Sequence, residues 1–248
     1  MGYILFAIGL LCGSFLNAWV WRTRAGISVV RGRSLCPHCK KTIAWFDNMP
    51  VLSFLILQGK CRACRASISW QYPVVEVVMG LLFASLAFFY SSVNVSLVRD
   101  ACLVFVLVAV FVYDFLYKEI WDRWTTIPAA LFALDALIRG SMSWQSMGIG
   151  IAIAAGFFLL QYVVSHGKWI GGGDIRLGVF MGVVLGWPGI LVALMLAYIS
   201  GAAVSIFLIF LKKKALASET PFGTYLAVAT LVTYFYGMDM LAWYLRLL

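Results

Sequence analysis

Two sets of side chains in this 248-residue chain are spaced for chemistry. Four of the six cysteines form Cys36-Pro37-His38-Cys39 and Cys61-Arg62-Ala63-Cys64, with 21 residues between the pairs. Each pair places two sulfurs at the ends of a tight turn, and two such turns supply four soft ligands for a tetrahedral zinc ion. Thiol exchange is the competing chemistry, because Cys-x-x-Cys pairs also serve redox reactions. Two matched pairs in one polar segment favour metal. Cys12 and Cys102 fall within apolar runs and are expected to be plain buried residues, and His38 is expected to face solvent.

The second set is a pair of aspartates. Asp174 follows Gly171-Gly172-Gly173 where one apolar run begins, and Asp114 closes another. The chain is 63% hydrophobic and has ten acidic residues, so a carboxylate near an apolar segment is costly and functional by default. Two facing aspartates share one proton. The ionised member acts as general base on water; the protonated member polarises a scissile carbonyl and then donates to the leaving amine. The glycines leave room for an extended peptide beside Asp174. The plainer reading makes each aspartate an interfacial residue or helix cap. Asp122 reads as a cap or loop charge, and Asp135 pairs with Arg139 four residues on. No Gly-x-Ser-x-Gly elbow or His-Glu-x-x-His motif is present, and both histidines are isolated.

The elements that must position these groups are membrane helices. Charged residues make up only 12% of the chain, and the mean hydropathy of +0.96 excludes an ordinary soluble domain. The expected fold is an all-α polytopic membrane protein with about eight spans, near 2–21, 74–91, 98–116, 125–139, 146–165, 175–187, 189–211 and 221–238. The last two but one are separated mainly by Trp187-Pro188-Gly189. The first run lacks a basic n-region and an Ala-x-Ala site, so it reads as a retained span. The division is a first helix over 1–21, a cytosolic four-cysteine loop with a zinc knuckle over 22–72, and a transmembrane core over 73–248. No internal repeat is evident.

Basic residues set the orientation. With eight spans and segment 22–71 inside, sixteen Lys and Arg, including Lys212 to Lys214, lie in the cytosol and three (Arg99, Arg139, Arg246) lie outside. Asp114 and Asp174 then share the cytosolic face of the inner or plasma membrane, while Asp100 and Asp239 fall on the other. The net charge of +9 reads as topology and attraction to anionic lipid rather than a nucleic-acid site. A transporter is one rival reading, but it places its coupling groups near mid-membrane. A membrane thiol oxidoreductase is the other, using the cysteine pairs.

Six ordered motifs resemble the type IV prepilin leader peptidase/N-methyltransferase family of GxGD membrane aspartyl proteases. They are Gly13-Ser14-Phe15-Leu16-Asn17, the two cysteine pairs, and Asn48-Met49-Pro50-Val51-Leu52-Ser53 between them. Tyr72-Pro73-Val74-Val75-Glu76, Gly171 to Asp174 with Arg176-Leu177, and Pro221-Phe222-Gly223 follow. Trp121 and Thr224 stand where the family pattern usually has proline. The resemblance implies an enzyme that removes the basic leader of prepilins or pseudopilins on the cytosolic side. Asp114 and Asp174 align with the catalytic positions, and Cys36, Cys39, Cys61 and Cys64 hold structural zinc.

Many family members then methylate the new amino terminus from S-adenosylmethionine. No soluble methyltransferase pattern is visible, so Asn48, Pro50, Ser53 and Glu76 are cofactor candidates only through the motifs. The loop is expected to position the cut site. Because the leader is basic, Asp47, Glu76 or Glu119 would meet it while the loop's cations face headgroups.

Overall fold

The computed structural model describes residues 1–29, 31–211 and 221–247. Lys212 to Lys214, part of the charge count, lie outside them. Among the described residues the fold is eight α-helices: α1 (Gly2–Arg24), α2 (Leu52–Ile56), α3 (Gln71–Ser85), α4 (Val95–Tyr117), α5 (Thr126–Arg139), α6 (Trp144–Ser165), α7 (Gly172–Phe210) and α8 (Phe222–Leu245). A single 3-10 turn extends α3 to Phe88.

Six of these elements are long and apolar enough to cross a membrane, making a polytopic helical membrane protein. The eight expected runs correspond to these six elements and α5, because α7 holds two of the runs. Helix α5 has 14 residues and extends about 21 Å, short of a bilayer core about 30 Å thick. The runs 175–187 and 189–211 lie in α7, which is two helices joined at the expected break: Gly186 and Trp187 leave helical geometry ahead of Pro188. Beyond it the Tyr198 hydroxyl meets Gln161 of α6 at 2.9 Å, so the chain turns back along α6. The Ser146 hydroxyl accepts from the Trp187 N–H at 3.0 Å and donates to the Trp187 carbonyl at 3.0 Å, satisfying backbone groups that the bend frees.

The chain forms two compact units, 1–105 and 106–248. In the first, α1 packs on α3 through glycines spaced four apart. A Cβ on Gly9 would lie 2.6 Å from the Met79 carbonyl oxygen, and one on Gly13 would lie 2.7 Å from the Glu76 Cα. Small residues at this spacing let apolar helices approach where lipid supplies no hydrophobic drive. Asn17, 2% exposed, donates to the Tyr72 carbonyl at 3.1 Å and ties α1 to the first turn of α3. Arg22 is 6% exposed; its guanidinium donates to the carbonyls of Ser28, Arg31, Gly32 and Arg33 and so folds the chain back after α1.

In the second unit, α6 and α7 meet through the same device. A Cβ on Gly182 would lie 2.4 Å from the Ile151 nitrogen, and one on Gly178 would lie 2.7 Å from the Phe158 ring. Helices α5 and α8 also pack against α7. Cys102 is exposed and Cys12 half-exposed, against the expectation of burial. An apolar helix in a bilayer needs no protein on its outer face, so apolar sequence does not by itself imply a buried side chain.

Candidate active site and metal centre

Asp114 stands three residues before the end of α4 and is 4% exposed; Asp174 lies in the first turn of α7 and is 9% exposed. Both belong to the second unit, where the backbone segments beside them, at Gly173 and Gly223, meet the same side chain, Ile120. Each has one oxygen held by backbone. The Asp114 Oδ2 accepts from the Thr224 N–H at 2.8 Å, at the start of α8, and the Gly223 N–H also bonds to this carboxylate. The Asp174 Oδ2 accepts from the Gly171 N–H at 3.1 Å, while the Asp174 N–H donates to the Gly171 carbonyl at 3.1 Å. Asp174 is therefore a helix cap as well as a buried carboxylate, which joins both sequence readings. Among the described residues no basic side chain pairs with either aspartate.

The connection after α4 locks these elements together through Ile120. A Cβ on Gly173 would lie 2.9 Å from the Ile120 Cβ. One on Gly223 would lie 2.8 Å from the Ile120 Cδ1 and 3.0 Å from the Asp114 Cγ. Ile120 is thus wedged between the backbone segments that hold the two carboxylates. Of the glycine triplet, Gly173 admits Ile120, whereas Gly172 has open space where a side chain would be. Asp122, read as a cap or loop charge, pairs with Arg176 from α7. Trp121 stacks on Tyr113 with ring centroids 6.4 Å apart, and Arg123 lies over the Trp121 ring. Phe222 packs against Tyr198 and Phe158, steadying the start of α8. Asp135 pairs with Arg139 as expected, at 2.5 Å.

In the first unit the four cysteines of the two pairs converge, with all four sulfurs within 4.8 Å of one another and the Cys36 and Cys64 sulfurs 3.9 Å apart. Tetrahedral ligands with Zn–S bonds near 2.3 Å lie about 3.8 Å apart, so this donor set fits zinc. The two knuckles are copies, a repeat the sequence reading missed. The Cys36 N–H donates to the Lys41 carbonyl and the Lys40 N–H to the Cys36 carbonyl; the Cys61 N–H donates to Ala66 and the Arg65 N–H to Cys61 in the same way. Lys40 and Arg65 occupy the left-handed position of each turn, at φ 58° and 60°. Backbone amides of Cys64 and Ala63 draw the Cys61 thiol down to about 7, while at Cys64 the Ala66 amide is outweighed by desolvation and the neighbouring thiols, which push that thiol up to about 11.

Beside this centre lies a cleft of about 750 Å³, within the size range of small-molecule sites. Cys36 and Cys61 reach it from the knuckles, Phe15 and Trp21 from α1, and Asn48 and Glu76 from the motif segments. Ser53 also lines it. Glu76 is 6% exposed, and its Oε2 accepts from the Val51 N–H at 2.8 Å. Val51 has φ 60°, a conformation costly for a β-branched residue, and is held there by this bond. Asn48 donates to the Ser34 hydroxyl at 2.8 Å.

The acidic groups expected to meet a basic leader are differently engaged. Arg62 binds Asp47 through two of its nitrogens and holds that carboxyl below its usual range. Glu76 is buried, and Glu119 is exposed.

Sequence reasoning missed Ile120 as a wedge and Gly9, Gly178 and Gly182 as contact points. The four-residue glycine spacing was a usable clue for the helix contacts. Ile120 matches the isoleucine that follows the first aspartate in the family pattern, but nothing local marks it as a wedge, because its partners are 53 and 103 residues away.

Comparisons with known proteins follow the same division of the chain. Residues 7–90 match the Bacterial Peptidase A24 N-terminal domain, and residues 101–206 match the Type IV leader peptidase family. A Prepilin leader peptidase/N-methyltransferase of Bacillus subtilis is 30% identical over 246 residues, covering 98% of both chains. One from Aeromonas hydrophila is 34% identical, covering 98% of this chain and 93% of its own. One from Myxococcus xanthus is 35% identical over 83% of this chain and 62% of its own length. No solved structure matches significantly. The ordered motifs, the helical membrane architecture and these full-length similarities agree: the chain belongs to the type IV prepilin leader peptidase/N-methyltransferase family.

Proposed function

We propose that the protein is a membrane aspartyl endopeptidase that removes the leader of type IV prepilins or pseudopilins, with Asp114 and Asp174 as the catalytic pair. The observation that carries this reading is their arrangement: two buried carboxylates in one unit, each with one oxygen fixed by backbone amides. The fixed oxygens orient the pair, and the remaining oxygens are left for water and the scissile carbonyl. The ionised aspartate takes a proton from water as it attacks the carbonyl carbon. The protonated aspartate donates to the carbonyl oxygen and, as the C–N bond breaks, a proton passes to the leaving amine. Lys118, Arg123, Lys168 and Arg176 belong to the sequence around this end of the helices, which supports a cytosolic active site by the positive-inside rule.

The same reading gives the first unit the methylation step. S-adenosylmethionine supplies an electrophilic methyl group when bound. The cleft offers Phe15 and Trp21 as apolar and aromatic walls, Asn48 and Ser53 as hydrogen-bonding groups, and Glu76 as a buried carboxylate. A carboxylate there suits either the cofactor's hydroxyls and cationic centre or the amine that receives the methyl. Zinc held by Cys36, Cys39, Cys61 and Cys64 fixes the wall of the cleft, because a segment this short has little core of its own.

The test is to incubate purified protein with a prepilin, with and without S-adenosylmethionine, and weigh the products. Loss of the leader mass is expected in both reactions, and a further gain of one methylene only with the cofactor. An intact prepilin would refute the peptidase. In Glu76→Gln we expect cleavage to persist and methylation to fall; unchanged methylation would remove Glu76 from that step.

A further inference from the structure

We propose that the outer face of residues 45–56 is a lipid-binding keel that enters the anionic leaflet next to the ends of α1 and α3. Helix α2 turns its apolar face outward. Leu52, Leu55 and Ile56, at helical spacings of three and four, are 53%, 61% and 74% exposed. Phe54 points the other way, 9% exposed, with its ring 4.9 Å from that of Trp70. Trp45, Phe46 and Met49 extend the exposed face toward the first knuckle. An apolar surface of this kind needs an apolar environment.

Its position in the chain identifies that environment. The segment leaves α1 at Arg24 and enters α3 at Gln71, and both helices are candidate spans, so it is tethered to the membrane boundary at each end. Tryptophan favours that boundary, and Trp70, at the entrance to α3, is largely exposed. Residues 25–70 carry seven basic side chains and one acidic one, Asp47, which Arg62 already pairs. This field attracts anionic headgroups and repels a basic prepilin leader. Apolar face and cationic flanks together are the pattern of an interfacial segment lying about 5–10 Å deep. Asn48 and Ser53 alternate with the keel residues, so docking the keel would also hold the cleft wall in place.

The full-length protein in phosphatidylglycerol-containing nanodiscs, with a fluorescent amino acid in place of Leu55, tests the proposal. Brominated acyl chains should quench most of this emission while aqueous iodide should quench little. A probe in place of exposed Ser67, on the second knuckle, should show the reverse. In a Leu55→Glu, Ile56→Glu variant that retains bound metal, a probe in place of Trp45 should lose its lipid quenching. Iodide quenching at position 55 equal to that at 67 would overturn the keel. So would shielding that appears only when prepilin is added, since that outcome makes the face a substrate groove. If the double variant fails to fold, the single-probe measurements still decide.

Discussion

Residues 106–248 hold Asp114 and Asp174 with helix ends, whereas residues 1–105 hold Glu76 with an irregular loop built on a cysteine cluster. At Asp114 and Asp174 the partners are amides at the starts of α8 and α7, brought together by glycine contacts and Ile120. At Glu76 the partner is the amide of Val51, a strained residue in a segment with little helix. Helix packing in a bilayer is over-determined by many contacts along each span. A loop is not, and here the cysteine cluster supplies the missing constraint. The same chain thus has one site built on helix packing and one built beside a cysteine cluster.

The largest expected effect that tests this contrast is on the aspartates. Asp114→Asn and Asp174→Asn should each lower cleavage by about 100- to 10,000-fold and leave bound zinc unchanged. Near-normal cleavage by either folded variant would remove that residue from the mechanism. Next, stripping the metal with a chelator should abolish methylation and raise amide hydrogen exchange across 31–69, leaving exchange in α6 and α7 unaltered. Equal loosening of those helices would erase the distinction between the two units.

Ile120→Ala sharpens the packing side. A displacement of about 1 Å at a reacting group costs about 100-fold, so kcat for cleavage should fall toward that figure while KM changes little and Ile120→Val recovers most of it. A rise in KM alone would make Ile120 a substrate contact instead. The smallest effect belongs to Trp121→Pro. Trp121 has φ −77°, already within the range of proline. Only its ring contacts are lost, worth about 0.5–1.5 kcal/mol per aromatic pair. A shift of a few degrees in the melting temperature is expected, with the products unchanged. Unfolding of the variant would show that the stack on Tyr113 anchors the loop.

Much of this was legible because it is local or repetitive. Apolar runs placed every long helix, and the cysteine spacing announced a cluster before its sulfurs were seen within 4.8 Å of one another. The aspartates stood out because a carboxylate in an apolar chain is costly. Helix length was less legible, since hydropathy does not distinguish a 14-residue helix from a full crossing. The outward face of α2 was hidden for another reason: an apolar residue reads the same whether it meets protein or lipid.

The sequence by itself determined the membrane class, the candidate metal ligands, the catalytic candidates and the family resemblance, all of which rest on residue type and short spacing. Only the tertiary structure decided which backbone amides hold each carboxylate, where Ile120 wedges, and that Asn48, Ser53 and Glu76 line one cleft with the cysteines. Those contacts join residues up to 110 positions apart. No local pattern encodes them, because they exist only once the helices have packed.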